Sequence, residues 1–193
     1  RSFEPKKQGT IEFGKPLTLI VGANGVGKTT VIECLKYSTT GILPPNSSSG
    51  SAFVHDPNII GDKEVTAEVK LAFTSTNGQS MVVSRSMMVT KSTKNAFKFK
   101  TTEGQLMLMN RGERTTLSTK GSELDQQVPR FLGVPEAILQ FVIFCHQEDS
   151  LWPLSEPSLL KKKFDEIFQA SQFTKAIAVL REIKKDMSVE VKL

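Results

Sequence analysis

The apolar positions change their period several times along the chain, and each change predicts an element. Pro16 to Val21 is a short, nearly continuous apolar run that stops at Gly22, the pattern of a buried strand. Lys28 to Tyr37 has no internal Gly or Pro and carries Val31 and Leu35 on one side, which predicts a helix beginning inside a glycine loop. Residues 41–51, rich in Gly, Pro, Asn and Ser, predict a loop. From Val65 to Phe73 the period is two: Val65, Ala67, Val69, Leu71 and Phe73 share one side, and Thr66, Glu68 and Lys70 the other. Asn77-Gly78 then precedes the β-rich run Met81 to Val89, the pattern of a hairpin. Phe97-Lys98-Phe99-Lys100 repeats the alternation with lysine outward, so these segments together predict an antiparallel sheet with one face in water.

Ser122, with Asp125 three positions on, predicts the opening of a helix that carries Leu124, Val128 and Phe131, and Pro135 predicts the start of another. Phe141 to Cys145 is an apolar run suited to a buried strand, ending in His146-Gln147-Glu148-Asp149. Pro157 to Leu193 predicts a long helix with Leu160, Phe164, Ile167, Phe173, Ile177, Leu180 and Met187 near one seam. Either one arm of a coiled coil or an amphipathic surface helix fits that spacing.

Composition narrows the class. With 193 residues, 38% hydrophobic and 23% charged, the chain suits one ordinary domain, or a domain with an appendage. No apolar run approaches the roughly 18 residues of a membrane span, which argues against a membrane protein. The opening Arg1-Ser2-Phe3-Glu4-Pro5 has neither a methionine nor a secretory pattern and predicts truncation, with an opening strand missing. Cys34 and Cys145 lack metal-ligand spacing and predict reduced, packed thiols in an intracellular protein.

The net charge of +5 is unevenly spread. Arg85, Lys91, Lys94, Lys98, Lys100, Arg111, Arg114 and Lys120 face only Glu103 and Glu113 in the same stretch, while the rest of the chain is close to neutral. Such a segment is the footprint of a surface for a polyanion, or else a solvated basic face.

Chemistry concentrates in Gly22-Ala23-Asn24-Gly25-Val26-Gly27-Lys28-Thr29, which fits G-x-x-x-x-G-K-[ST] after one predicted strand and at the start of a helix. Phosphate oxygens need closely approaching backbone N–H groups and gain from the positive end of a helix. Lys28 is suited to the β/γ-phosphates and Thr29 to Mg²⁺, with Gly25, Gly27 and Thr30 adding donors to the phosphate cradle. No Asn/Thr-Lys-x-Asp string is present to read guanine, which favours ATP over GTP. The one candidate strand for a catalytic carboxylate ends in His146-Gln147, not Asp-Glu. Gln147 is therefore the candidate to give an oxygen to Mg²⁺ and orient water, beside the plainer reading of a glutamine that merely ends a strand. Cys145 and His146 would point oppositely on that strand and make a poor catalytic dyad.

Phe53-Val54-His55-Asp56-Pro57, Arg85-Ser86-Met87 and above all the stretch 142–156, Val-Ile-Phe-Cys-His-Gln-Glu-Asp-Ser-Leu-Trp-Pro-Leu-Ser-Glu, closely resemble the eukaryotic Rad-fifty family, and the likeness continues through Lys-Phe-Asp-Glu-Ile-Phe at 163–168. These are SMC-like, ABC-type ATPases of the MRN/MRX double-strand-break-repair complex. The resemblance implies an α/β P-loop NTPase of ABC/SMC head type. Residues 1–156 would form its N-terminal lobe, with the phosphate loop at 22–29, a basic antiparallel β segment at 65–120 and the Q-loop at Gln147; residues 157–193 would start a coiled coil.

By the same resemblance Asn24, Gly25, Gly27, Lys28, Thr29 and Thr30 contact phosphate, Thr29 and Gln147 hold Mg²⁺, and Arg1, Val54 and Asp56 border the nucleotide. Lys91, Lys94, Lys98, Lys100, Arg111 and Arg114 would meet double-stranded DNA. Arg85 has two readings, a DNA contact or a relay between nucleotide state and the other half of the head. The implied partners are the protein's own C-terminal head segment, a second head joined by ATP and the repair nuclease, in the nucleus and on chromosomes. Signature motif, Asp-Glu strand and Cys-x-x-C hook are absent here and expected elsewhere in the polypeptide. A chromosome-tethering SMC clamp is the alternative; a transporter's ATP-binding subunit fits less well, because a basic β segment has no evident use at a membrane.

Overall fold

Hydrophobic alternation becomes a four-stranded antiparallel sheet in which each strand pairs with the next: β1 (Glu64–Thr74), β2 (Ser80–Lys91), β3 (Phe97–Asn110) and β4 (Glu113–Ser118). This computed structural model describes residues 9–45, 47, 50–91, 96–110, 113–144, 150–168 and 170–190. Asn77-Gly78 closes the first hairpin as predicted: Gly78 has φ 76°, its N–H donates to Ser75 O at 2.9 Å, and Ser75 N–H donates to Gln79 O at 2.8 Å. That turn sets the register, Val65 opposite Val89 and Leu71 opposite Val83, which keeps one apolar row on one face.

Helix α1 (Lys28–Thr40) and helix α3 (Gly121–Leu132) lie on that face. One core cluster joins Tyr37 of α1 to Val54, Val65, Met87 and Val89; a second joins Leu124 and Val128 of α3 to Met81, Val83 and Leu106. Val83, Val89, Leu106, Leu124 and Val128 are wholly buried, and each such side chain stabilises the fold by about 1.5–3 kcal/mol. The other face of the sheet carries Glu68, Lys70, Met88, Lys98, Lys100, Met107 and Arg114, by strand pairing. Cys34, half-buried in α1, has its thiol pushed up to about 11 by burial and secondarily by Glu33, so it stays protonated at neutral pH.

Four sequence expectations are corrected. Pro16 to Val21 forms no strand: Leu17, Leu19 and Val21 are each about 80% exposed, and no neighbouring strand among the described residues offers them ladder hydrogen bonds. Phe141 to Phe144, the described part of the run to Cys145, is not a strand either. The short helix α4 (Glu136–Ile138) runs into a π-helical turn, Leu139–Ile143, closed by Phe144 N–H to Leu139 O at 2.8 Å. An apolar run this short has no period that separates strand from helix, and the turn opened at Pro135 carries on through it. Cys145 to Asp149 lie outside the described residues.

Helix α3 begins at Gly121, without a Ser122–Asp125 box. Ser118 does the local work: its hydroxyl donates to Glu123 Oε2 at 2.6 Å and accepts from Lys120 N–H at 3.4 Å, and the first of these holds the Glu123 carboxyl below its usual range. Asp125 is used elsewhere. The predicted single helix from Pro157 is two, α5 (Pro157–Ile167) and α6 (Ser171–Glu190), with Phe168 N–H bonded to Phe164 O and Ala170 N–H to Asp165 O at the break. A stacked aromatic group fixes α5. Trp152 lies 5.6 Å edge-on from Phe164 and 6.4 Å from Phe141, and Phe164 stacks on Phe168. The Trp152 indole N–H donates to Phe141 O at 3.0 Å, and the Lys163 ammonium sits 4.9 Å over the Phe141 ring.

Candidate nucleotide site and its surroundings

Residues 22–27 form an exposed to half-exposed turn that feeds directly into α1. Gly25 (φ 84°) and Gly27 (φ 96°) adopt the left-handed conformation that side chains disfavour, and successive amides in such a turn converge on one point. Gly27 is the N-cap of α1 and brings no side chain to its first-turn N–H groups, so these and the positive helix end are presented to an anion. Lys28 folds across the loop, its ammonium donating to Gly22 O and Ala23 O at 2.8 Å each. An ammonium has three donors, so the loop both positions the charge and leaves it capacity for a phosphate oxygen. Thr29 is exposed on the first turn beside it, and Asn24 is exposed in the loop. Amide cradle, positioned ammonium and adjacent hydroxyl together fit a polyphosphate with one oxygen ligand for Mg²⁺.

The remaining expected nucleotide residues are scattered in role. The Val54 side chain is 2% exposed and belongs to the Tyr37 cluster, so it is packed in the core. Asp56 caps the short helix α2 (Pro57–Ile60), accepting from Asn58 N–H at 2.8 Å. Arg1 and Gln147 lie outside the described residues. Phe141 and Trp152, joined by the indole hydrogen bond, stand on either side of Gln147 in sequence.

Arg85 is placed where a duplex cannot reach it. It is 7% exposed; its Nε donates to Ser38 O at 3.0 Å, its Nη1 lies 2.7 Å from Asp125 Oδ1, and its guanidinium carbon lies 5.8 Å from the centre of the Tyr37 ring. The Asp125 contact is an ion pair without hydrogen-bond alignment, leaving Arg85 Nη2 and Asp125 Oδ1 without a hydrogen-bond partner among the described residues. Of its two sequence readings, the DNA contact is thus corrected. Arg85 instead ties the C-terminal carbonyls of α1, where a cation is favoured, to α3. No spacing in the sequence links Arg85 with Tyr37, Ser38 and Asp125; only the covering of β2 by both helices does.

Gly41 ends α1 at φ 74°, and a β-carbon there would collide with the Asp125 carboxylate and lie 3.0 Å from Arg85 Nη1. Gly41→Ala is expected to destabilise the protein by about 2–3 kcal/mol, combining left-handed strain with displacement of the ion pair. Urea titration measures it; a midpoint within error of wild type would contradict this reading.

Among the described residues the basic excess does not form one patch. Lys98 and Lys100 share the open face, opposite Thr90 and Met88, and Lys91 is exposed at the end of β2. Arg114 is on the open face too, opposite Met109, about 30 Å along β3 from Lys100, with uncharged Gln105 and Met107 between. Glu68 and its ion partner Lys70, 2.9 Å away, occupy the β1 side. Lys94 and Arg111 lie outside the described residues.

The AAA-domain family matches residues 1–192. Three relatives align over the whole chain: DNA repair protein RAD50 of Saccharomyces cerevisiae at 66% identity, DNA repair protein rad50 of Schizosaccharomyces pombe at 54% and DNA repair protein RAD50 of Arabidopsis thaliana at 47%. The chain spans about 15% of the length of each. These similarities bear out the resemblance read from the motifs at 53–57, 85–87 and 142–168. With a phosphate loop opening α1 and an antiparallel sheet beside it, the chain belongs to the AAA-domain family of α/β P-loop ATPases.

Proposed function

We propose that this chain is the N-terminal half of an ATPase head of the SMC-like, ABC type that binds Mg·ATP, closes with a second head over double-stranded DNA and regulates a partner nuclease in double-strand-break repair, in the nucleus and on chromosomes. The observation that carries it is the loop at 22–29, whose left-handed glycines and carbonyl-held Lys28 prepare a polyphosphate site at the start of α1. Lys28 and the first-turn amides would neutralise charge on the β/γ-phosphates, and Thr29 with Gln147 would hold Mg²⁺, which would supply further positive charge to the phosphates. Asn24, Thr30, Val54, Asp56 and Arg1 border the nucleotide, and Arg85 relays between α1 and the rest of the head.

Two exposed surfaces support incompleteness. Leu17, Leu19 and Val21 stand exposed, and the protein's own C-terminal head segment would cover them. On α6, Phe173, Ile177, Leu180 and Met187 lie exposed at coiled-coil spacing, which supports the arm reading. The isolated chain should therefore bind Mg·ATP weakly and hydrolyse it hardly at all, since the carboxylate for the attacking water would come from the C-terminal half. Adding the C-terminal half should restore slow turnover and ATP-dependent pairing of heads. Steady-state phosphate release with light scattering tests both, and substantial turnover by the isolated monomer refutes the half-site reading.

DNA contact is proposed for Lys91, Lys94, Lys98, Lys100, Arg111 and Arg114. Reversing Lys98 and Lys100 to Glu should weaken binding to all duplex sequences alike and flatten its salt dependence by about 2 in the logarithmic slope. A salt titration with wild-type affinity and slope would reduce this strand to a solvated face.

A further inference from the structure

Phe99 lies between two surfaces that the proposed function uses separately. Alternation sends Lys98 and Lys100 to the open face and turns Phe99 the other way, opposite Val89, against the cluster of Tyr37, Val54, Val65, Met87 and Val89. The far end of its ring abuts Gly50. A β-carbon on Gly50 would come within 2.7–2.8 Å of ring carbons Cζ, Cε1 and Cε2, so only glycine, here at φ 98°, allows this approach.

Gly50 starts one 3₁₀ turn, Ser51–Phe53, closed by Phe53 N–H to Gly50 O at 3.0 Å. The same segment leads directly to Val54 and Asp56. Phe53 in turn meets Tyr37 edge-on at 5.7 Å, and Tyr37 belongs to the helix that begins at Lys28. One ring on the lysine strand thus props the loop that leads to the nucleotide border, and Phe99 and Phe53 pack on the same cluster, to which Tyr37 of α1 belongs.

We propose that Phe99 is a positioning residue that links the DNA face to the nucleotide site through its contact with Gly50. This rests on the ATP and DNA reading above. A phosphate backbone held by Lys98 and Lys100 fixes the strand, the strand fixes the ring, and the ring holds residues 50–56 in the arrangement that borders ATP. Ordering one side lowers the ordering cost of the other, so the two affinities rise together, and linkage makes the effect equal in both directions. The coupling runs through ring contact and not charge, so removing the ring should uncouple the sites while leaving both lysines in place.

The test uses the full-length protein and measures duplex DNA affinity with and without saturating Mg·ATP, and ATP affinity with and without DNA. Wild type should show the same ratio in both directions, about 5-fold or more. Phe99→Ala should bring both ratios close to one while DNA affinity without ATP and its salt slope stay within about twofold of wild type, because the phosphate contacts remain. Phe99→Leu should recover part of the ratio. Should the alanine variant fail to fold by circular dichroism, the leucine variant alone decides: an intermediate ratio supports the linkage and a wild-type ratio overturns it. A folded Phe99→Ala protein with the wild-type ratio overturns the linkage too, as does a wild-type ratio of one, both leaving ATP and DNA binding intact. If Lys98→Glu with Lys100→Glu leaves DNA affinity unchanged, the DNA reading of this strand falls, and the linkage falls with it.

Discussion

Replacing Lys28 by Ala should lower ATP turnover of the assembled head by at least about 100-fold, the scale for removing one preorganised donor from a charged transition state. The ammonium is the only side-chain cation placed on the loop among the described residues, held by Gly22 O and Ala23 O. Its loss also removes a charge-assisted bond to the ground-state phosphates, so ATP affinity should fall together with kcat. Lys28→Arg should recover little, because a planar fork cannot make the two carbonyl bonds from a single point as the ammonium does. Phosphate release and equilibrium ATP binding measure the two effects. A Lys28→Ala head with wild-type affinity and rate would remove the basis for the nucleotide site.

Replacing Arg85 by Ala should cost about 3 kcal/mol of stability, at the low end for breaking a buried ion pair. The low end applies because the Asp125 side chain is 43% exposed and regains water when its partner leaves. Three contacts disappear together: the bond to Ser38 O, the ion pair and the cation over Tyr37. Arg85→Lys should restore less than half, since one ammonium cannot bond the end of α1, pair with α3 and cover the Tyr37 ring at once. Asp125→Asn should cost less than either, leaving the Ser38 bond in place. Urea denaturation with the double variant gives the coupling between Arg85 and Asp125, and a coupling near zero would make the contact incidental.

How much was legible depended on whether the information was local. The β1–β2 hairpin was readable because Asn77-Gly78 and the alternation from Val65 impose the same register independently. The phosphate loop was readable because its glycines and Lys28 act within a few residues of one another. The run at 141–144 misled, since apolar residues without polar interruption carry no period, and the turn started at Pro135 settled its form. The break at 168–170 was also hidden: the seam of apolar positions continues across it, while Phe164 and Phe168 are stacked upon each other and anchored through Trp152. The basic stretch read as one surface because charge was counted along the chain, whereas pairing spreads it along both ends of β3 and turns Arg85 inward.

The sequence by itself determined the glycine loop that opens α1, the hairpin and which side of 65–73 and 97–100 faces the core, because backbone conformation and side-chain alternation follow from neighbours a few residues apart. It determined the family as well, through contiguous strings such as 142–156. Only tertiary structure decided that Arg85 serves α1 and Asp125 and that Val54 is a core residue. It also decided that Phe99 rests on Gly50. Each of these contacts joins segments tens of residues apart, and their meeting is fixed by how the helices and the loop at 50–56 cover the sheet, a packing outcome that no local pattern encodes.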